Sequence, residues 1–251
     1  MMQTRVDCHI KTLSPSVIAR AAAREVDAVI YAPHFTPLPE IEATAAQYGD
    51  APVTVIPGRE IFTGSWRSRR HLLAVGMSEP VPDFITMEAA LAALRDQDAT
   101  VLVPHPGFAT VSLGAPEVAA LGDQLDAIEV ENFKSRRRHN RRARAIAAGT
   151  DLPSFGSSYA HLPASVGATV TVFEASLTDA DAVIAAIAGE CPRRIETVDD
   201  AQSQLQGVLE FAHLGWENTV QKLWRVGSPG PAATHPRAPL YGGRFDRVSV
   251  Y

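Results

Sequence analysis

Six side chains able to hold a metal ion recur along the first two-thirds of the chain, each attached to a short apolar run. They are His9 in VDCHIK, His34 in VIYAPH, Glu60 in VIPGRE, His71 in RHLLAV, His105 in VLVPHP and His161 in SSYAH. Imidazole and carboxylate are the groups that hold catalytic zinc, manganese or iron. Runs of this kind read as strands, and parallel αβ barrels build their active sites from the ends of several different strands. A lone histidine at a strand end is usually just a hydrogen-bonded residue. Six ligand-type residues at successive strand ends predict one shared polar site.

In the first run, the two-residue period puts Asp7, His9 and Lys11 on one face, with Cys8 and Ile10 on the other, toward the helix layer. A carboxylate, an imidazole and an ammonium on one face are costly to bury unless they pair or bind an ion. Placing Cys8 opposite His9 also argues against a Cys-His nucleophilic pair. His71 shares a face with Leu73 and Val75. Pro104 and Pro106 fix the backbone about His105, and Glu60 follows a Pro-Gly turn. There is no Gly-rich phosphate loop and no dinucleotide fingerprint.

The elements that must position these residues alternate between strand and helix, which favours a parallel sheet covered by helices. Strands are expected at Arg5–Ile10, Asp27–Tyr31, Pro52–Ile56, His71–Val75, Thr100–Val103, Asp126–Val130, Ser154–Gly156 and Ala168–Phe173. Helices are expected from Ser14-Pro15 to Val26, near Pro39–Tyr48, over Ala89–Gln97, from Arg136 to Ala148 and over Thr178–Ala188. Ala201–Arg225 carries apolar residues at helical spacing, which suits packing on the barrel exterior. From Gly227 the composition turns to Pro, Gly and Ala, an extended tail that Tyr241, Phe245 and Tyr251 would dock. The expected organisation is a barrel over 1–190, a helical segment over 191–226 and a tail over 227–251.

At 251 residues, 46% of them hydrophobic, the chain can bury one large αβ core. No run approaches the ~18 apolar residues of a membrane span. The chain enters a strand-like segment at once, without secretory features, and two cysteines cannot build a disulfide framework, so a cytoplasmic protein is expected. The net charge of −5 argues against nonspecific nucleic-acid binding by the whole surface. One local exception is the basic stretch of Lys134, Arg136, Arg137, Arg138, Arg141, Arg142 and Arg144. Guanidinium groups there suit phosphate oxygens, but a solvated helix face is the more economical reading. Lys134 and Arg136, closest to the strand end, have the better claim to face the site.

Taken in order, these fragments resemble the PHP (polymerase and histidinol phosphatase) family, metal-dependent phosphoesterases on a distorted seven-stranded αβ barrel. The family's Asp-x-His-x-His-Thr stands here as Asp7-Cys8-His9-Ile10-Lys11-Thr12, and its Thr-Asp-His as Ala32-Pro33-His34. Pro-Gly-x-Glu is intact at Pro57-Gly58-Arg59-Glu60. The following histidine strand matches at His71-Leu72-Leu73, His-Pro at His105-Pro106, and the glutamate strand with its later asparagine at Ile128-Glu129 and Asn132. Gly-Ser-Asp-Ala-His becomes Ser157-Ser158-Tyr159-Ala160-His161, followed by Val166-Gly167. The likeness runs from about Arg5 to Phe173.

The resemblance implies a ligand set with gaps. A first metal would use His9, the place of Lys11, Glu60 and the place of Tyr159, but a protonated amine cannot coordinate and a neutral phenol is a poor ligand. A second would use Glu60, His71 and His105, all present. A third keeps His34 and His161, but the short loop from Thr12 to Ser16 offers only hydroxyls. One or two divalent ions are therefore expected, zinc or manganese, with iron compatible. Lys11 and Asp7 become the candidate catalytic residues, with Lys11 supplying the missing positive charge by pairing with Asp7 or Glu60. Arg59, Tyr159, Lys134 and Arg136 are the candidate substrate-binding residues. The expected activity is hydrolysis of a small phosphate ester or nucleotide. The rival is a degenerate barrel serving as an RNA- or protein-binding subunit, as the barrel subunit of archaeal ribonuclease P resembles the family yet lacks its metal centre.

Overall fold

Ser14, Thr86 and Asp179 begin three helices by the same device: the side-chain oxygen accepts the backbone N–H three residues on, at Val17, Ala89 and Ala182. Each satisfies an amide that the first helical turn leaves without a partner. The helices that follow are α1 (Pro15–Ala23), α3 (Met87–Arg95) and α6 (Ala180–Ala188), with α2 (Leu38–Ala46), α4 (Ala115–Leu121) and α5 (Arg137–Ala147) completing those described. The computed structural model describes residues 3–65, 67–108, 110–198 and 232–250. α5 buries Asn140, Ala143, Ile146 and Ala147 at helical spacing. Its arginines therefore lie mainly on the outward face.

The strands are β1 (Thr4–Ile10), β2 (Ala28–Tyr31), β3 (Thr54–Thr63), β4 (Arg70–Val75), β5 (Thr100–Val103), β6 (Ala127–Asn132), β7 (Ser154–Ser157), β8 (Thr169–Phe173) and β9 (Arg193–Thr197). They form one sheet in the order β7-β6-β5-β4-β3-β2-β1-β8-β9. β1, β2 and β3 run parallel, as do β5, β6 and β7, whereas β4 is antiparallel to both neighbours and β8 to β1. The sheet curls until its ends nearly meet. Ile10 bridges Ala160, with Lys11 N donating to Ala160 O at 2.8 Å. Farther along, the Thr171 hydroxyl donates to Gly156 O and accepts from Gly156 N.

Side chains from β1 to β8 converge on one apolar cluster: Val6, Cys8, Ile30, Ile56, Leu73, Leu102, Ala127, Phe155 and Phe173, joined by Val183, Ala186 and Ile187 of α6. This is the barrel lumen. Two further clusters lie between sheet and helices. One centres on α1 with Ile10 and Val29, the other on α3 with Leu72, Val101 and Ile128.

Several expectations are corrected. Cys8 lies in the lumen, on the same face as Val6 and not toward the helices; the register irregularity between Asp7 and Ile10 is what parts it from Ile10, which packs on the α1 cluster. Pro57-Gly58 is not a turn. β3 continues through it, pairing with β2 up to Pro57 and with β4 from Gly58 onward. A side chain at Gly58 would press on Ile30 and Val75 at 2.7 and 2.9 Å, which explains the glycine. α4 and β9 were not anticipated, and β9 is a strand within the segment expected to be helical. The helix expected over Ala201–Arg225 lies outside the described residues, as does Tyr251. Tyr241 and Phe245 are buried against the α3 cluster, and Ser249 bridges Ile85.

Candidate metal centre

Because β4 runs backwards, His71 at its beginning reaches the same barrel rim as residues at the ends of the parallel strands. Glu60 comes from the middle of β3. His9 lies near the end of β1, while His34, His105 and His161 follow β2, β5 and β7. All except His34 are buried.

Glu60 is the hub. Its Oε1 lies 2.9 Å from His71 Nδ1 and 2.8 Å from His105 Nε2. Its Oε2 lies 2.5 Å from His34 Nε2, 3.9 Å from His9 Nε2 and in a short contact with the Lys11 ammonium. Lys11 also donates to Ala32 O at 2.5 Å. Burial works against the Glu60 anion, yet Lys11, then His71 and His34, outweigh it and hold the carboxyl well below its ordinary range.

Burial acts in the opposite sense on the imidazoles. It pushes His71 down to about 4 and His34 to about 3, with Lys11 adding to the effect at both, and it depresses His9 and His161 strongly. Neutral rings keep the lone pairs that ligation needs. The donor atoms of Glu60, His71 and His105 all lie within 4.8 Å of one another. Neither nitrogen of His9, nor Nε2 of His71, has a hydrogen-bond partner among the described residues. Buried polar atoms left in this way are costly. A divalent ion fits this donor set.

Other residues aim the ligands. His105 Nδ1 is 2.6 Å from the Ser112 hydroxyl, and its backbone N–H donates to Glu129 Oε2 at 2.6 Å. Glu129 in turn takes Asn132 Nδ2 and the Ser157 hydroxyl. Burial raises the Glu129 pKa above its ordinary value. His105 has φ 35° and Tyr159 φ 50°, left-handed backbone that L residues adopt at a cost. Phe62 stacks flat on His71, with ring centroids 3.9 Å apart and 6° between planes. Sequence reasoning missed Phe62, Ser112 and Ser157. Phe62 was within reach, since it lies two residues beyond Glu60 on the same strand face.

The remaining candidates divide. Tyr159 stands among the ligands, its ring 4.8 Å from His9 and 5.2 Å from His105, with both Lys11 and Lys134 over its face. Lys134 is buried and lies 2.7 Å from His161 Nδ1. Asp7 is elsewhere: its two oxygens accept the backbone N–H groups of Ser158 and Gly167 at 2.9 and 2.8 Å. Arg59 is not brought to the cluster. It occupies the opposite face of β3, where it pairs with the buried Asp83 at 2.8 Å. Arg136 is exposed at the start of α5. A groove beside His105 is lined by Phe108, Glu129, Ser135, His139 and Asn140.

Residues 137–191 match the family described as PHP-associated. No curated protein matches the chain. The fold is similar to that of PsfC from Pseudomonas syringae, at TM-score 0.62 and 20% identity over 85% of this chain and 100% of that one. It is also similar to the lesion-specific endonuclease Q of Pyrococcus furiosus, at TM-score 0.59 and 18% identity, covering 79% of this chain and 60% of that protein. A two-domain protein of Bacteroides vulgatus containing a predicted PHP-like metal-dependent phosphoesterase aligns at TM-score 0.55 and 16% identity, covering 83% and 70%. Among the described residues, no helix is long and apolar enough to cross a membrane.

Proposed function

We propose that this chain belongs to the PHP family, which its barrel and its PHP-associated segment support, and is a metal-dependent phosphoesterase that hydrolyses a small phosphate ester or nucleotide. The observation that carries this reading is the buried triplet of Glu60, His71 and His105, whose donor atoms converge. These residues would hold a zinc or manganese ion, with His9, His34 and His161 close enough to complete one or two sites. A divalent ion supplies Lewis acidity, offsetting charge that builds on a phosphate ester and easing deprotonation of water.

The chain's own residues do the rest. Ser112 and the Glu129 carboxylate fix the orientation of His105, as such outer partners do around metal ligands. Asp7 acts by position, since both its oxygens are committed to the backbone on either side of the Tyr159–His161 turn. Lys11 and Lys134 bring two ammonium groups to the Tyr159 ring and would draw a phosphate toward it. Arg136 would extend the same field at the rim. This reading keeps the cytoplasmic location expected for a chain with only two cysteines.

A second reading is a nucleic-acid-binding barrel without catalysis. It is favoured by the exposed arginine face of α5 beside the His105 groove and by Lys11 and Tyr159 in ligand positions. Metal content separates the two. Protein purified without chelator should carry about one or two equivalents, lost in Glu60→Ala and His71→Ala, and should cleave simple phosphate esters. Absence of metal from a folded wild-type protein sinks the enzyme reading. Steeply salt-dependent RNA binding would then support the other.

A further inference from the structure

We propose that Lys11 is a resident cation: its ammonium fills a second cation position on the Glu60 carboxylate and so keeps a divalent ion out of it. This rests on reading the site as a metal centre and deepens it.

The two oxygens of Glu60 have different surroundings. Oε1 faces His71 and His105. Around Oε2 stand His34 Nε2 at 2.5 Å, His9 Nε2 at 3.9 Å and the Lys11 ammonium, which also binds Ala32 O at 2.5 Å. A carboxylate oxygen, a backbone carbonyl and two imidazole nitrogens make a set of donors suited to a cation. The cation there is supplied by the chain. Glu60 is fully buried and the Lys11 side chain is 5% exposed, so the ammonium cannot leave for water without stranding the carboxylate. Tyr159 closes one side, with the ammonium 5.3 Å above its ring centroid in cation–π range. An ammonium and a dication on one carboxylate oxygen repel each other in a medium that screens them poorly.

The consequence is a metal capacity set by one residue. Replacing Lys11 with a neutral donor should open the position and raise capacity by one ion. Lys11→His and Lys11→Gln are to be compared with wild type and with Lys11→Arg, which keeps the charge. Each protein is stripped, incubated with excess Zn2+ or Mn2+, and read by native mass spectrometry and by thermal melting with and without the ion. The neutral variants should hold one equivalent more than wild type and show a larger metal-induced rise in melting temperature, while Lys11→Arg matches wild type. Equal counts and equal shifts in a folded Lys11→His or Lys11→Gln protein overturn the proposal. Should wild type bind no metal, the metal-centre reading fails by itself; a gain in the neutral variants still supports the resident cation, and no gain removes it.

Discussion

Asp7 carries a free-energy cost that depends on pH. Burial raises its pKa from an ordinary 3.8 to about 6, against the pull of its hydrogen bonds from Ser158, Gly167 and His9. A folded pKa above the unfolded one means the native state binds the proton more tightly. The stability this contributes is complete below pH 3.8 and is lost as the pH rises through about 6. Between pH 4 and 7 the loss amounts to about 2 kcal/mol at 1.36 kcal/mol per pKa unit. Asp7→Asn removes that titration but offers one acceptor where two backbone N–H groups need one each, so the variant should be less stable at every pH. Its penalty should nevertheless be about 2 kcal/mol smaller at pH 7 than at pH 4. Urea midpoints of both proteins at the two pH values measure this. Equal penalties would mean that Asp7 is ionised throughout the range in the native state. The group is retained because both oxygens pin the backbone flanking the Tyr159–His161 turn, which delivers two residues to the centre.

At the scale of elements, the seam between β7 and β8 is the unusual joint. The Thr171 hydroxyl both donates to and accepts from Gly156, replacing ladder bonds that those strands do not make with each other. A Cβ on Gly156 would meet Ile195 at 2.5 Å, so β9 can lie across this point only over glycine. Thr171→Val keeps the shape and leaves Gly156 N–H and C=O without that partner, a loss of about 1–3 kcal/mol. Chemical denaturation should show it, whereas metal content should hardly change, because among the described residues the Thr171 hydroxyl bonds Gly156 and Cys8 and none of the six ligand side chains. A variant as stable as wild type would show that water replaces the hydroxyl. Nothing in the local sequence announces this joint, since it depends on a contact 15 residues away along the chain. The ligands were legible for the opposite reason: each of the six is tied to an apolar run that can only be a buried strand. The direction of β4 and the length of β3 were not. Pro57-Gly58 reads locally as a turn, and only the change of pairing partner from β2 to β4 makes it strand. That hidden continuation put Arg59 on the outer face with Asp83, although its neighbour Glu60 faces the centre.

For the whole molecule, Cys8 is a natural reporter of whether the barrel opens. It is fully buried in a cluster to which all strands from β1 to β8 contribute, and burial pushes its thiol up to about 12. The thiolate is the species that attacks disulfide reagents, so both access and ionisation protect Cys8 in the native state. Cys191, just before β9, is only partly buried. A thiol reagent at pH 8 should therefore label Cys191 first and Cys8 in a slow second phase. In a Cys191→Ser variant the slow phase should stand alone. If Cys8 becomes accessible only when the lumen is disrupted, its labelling rate must rise with denaturant in step with global unfolding. Added Zn2+ or Mn2+ should slow it further, because an ion that binds the native centre lowers the population of the open state. The Glu60→Ala protein should lose that metal response. Rapid labelling of Cys8 that ignores both denaturant and metal would mean that the lumen opens locally, with the strands that carry the centre moving apart independently. Slow labelling that responds to both would tie the stability of the barrel to occupancy of the site at its rim.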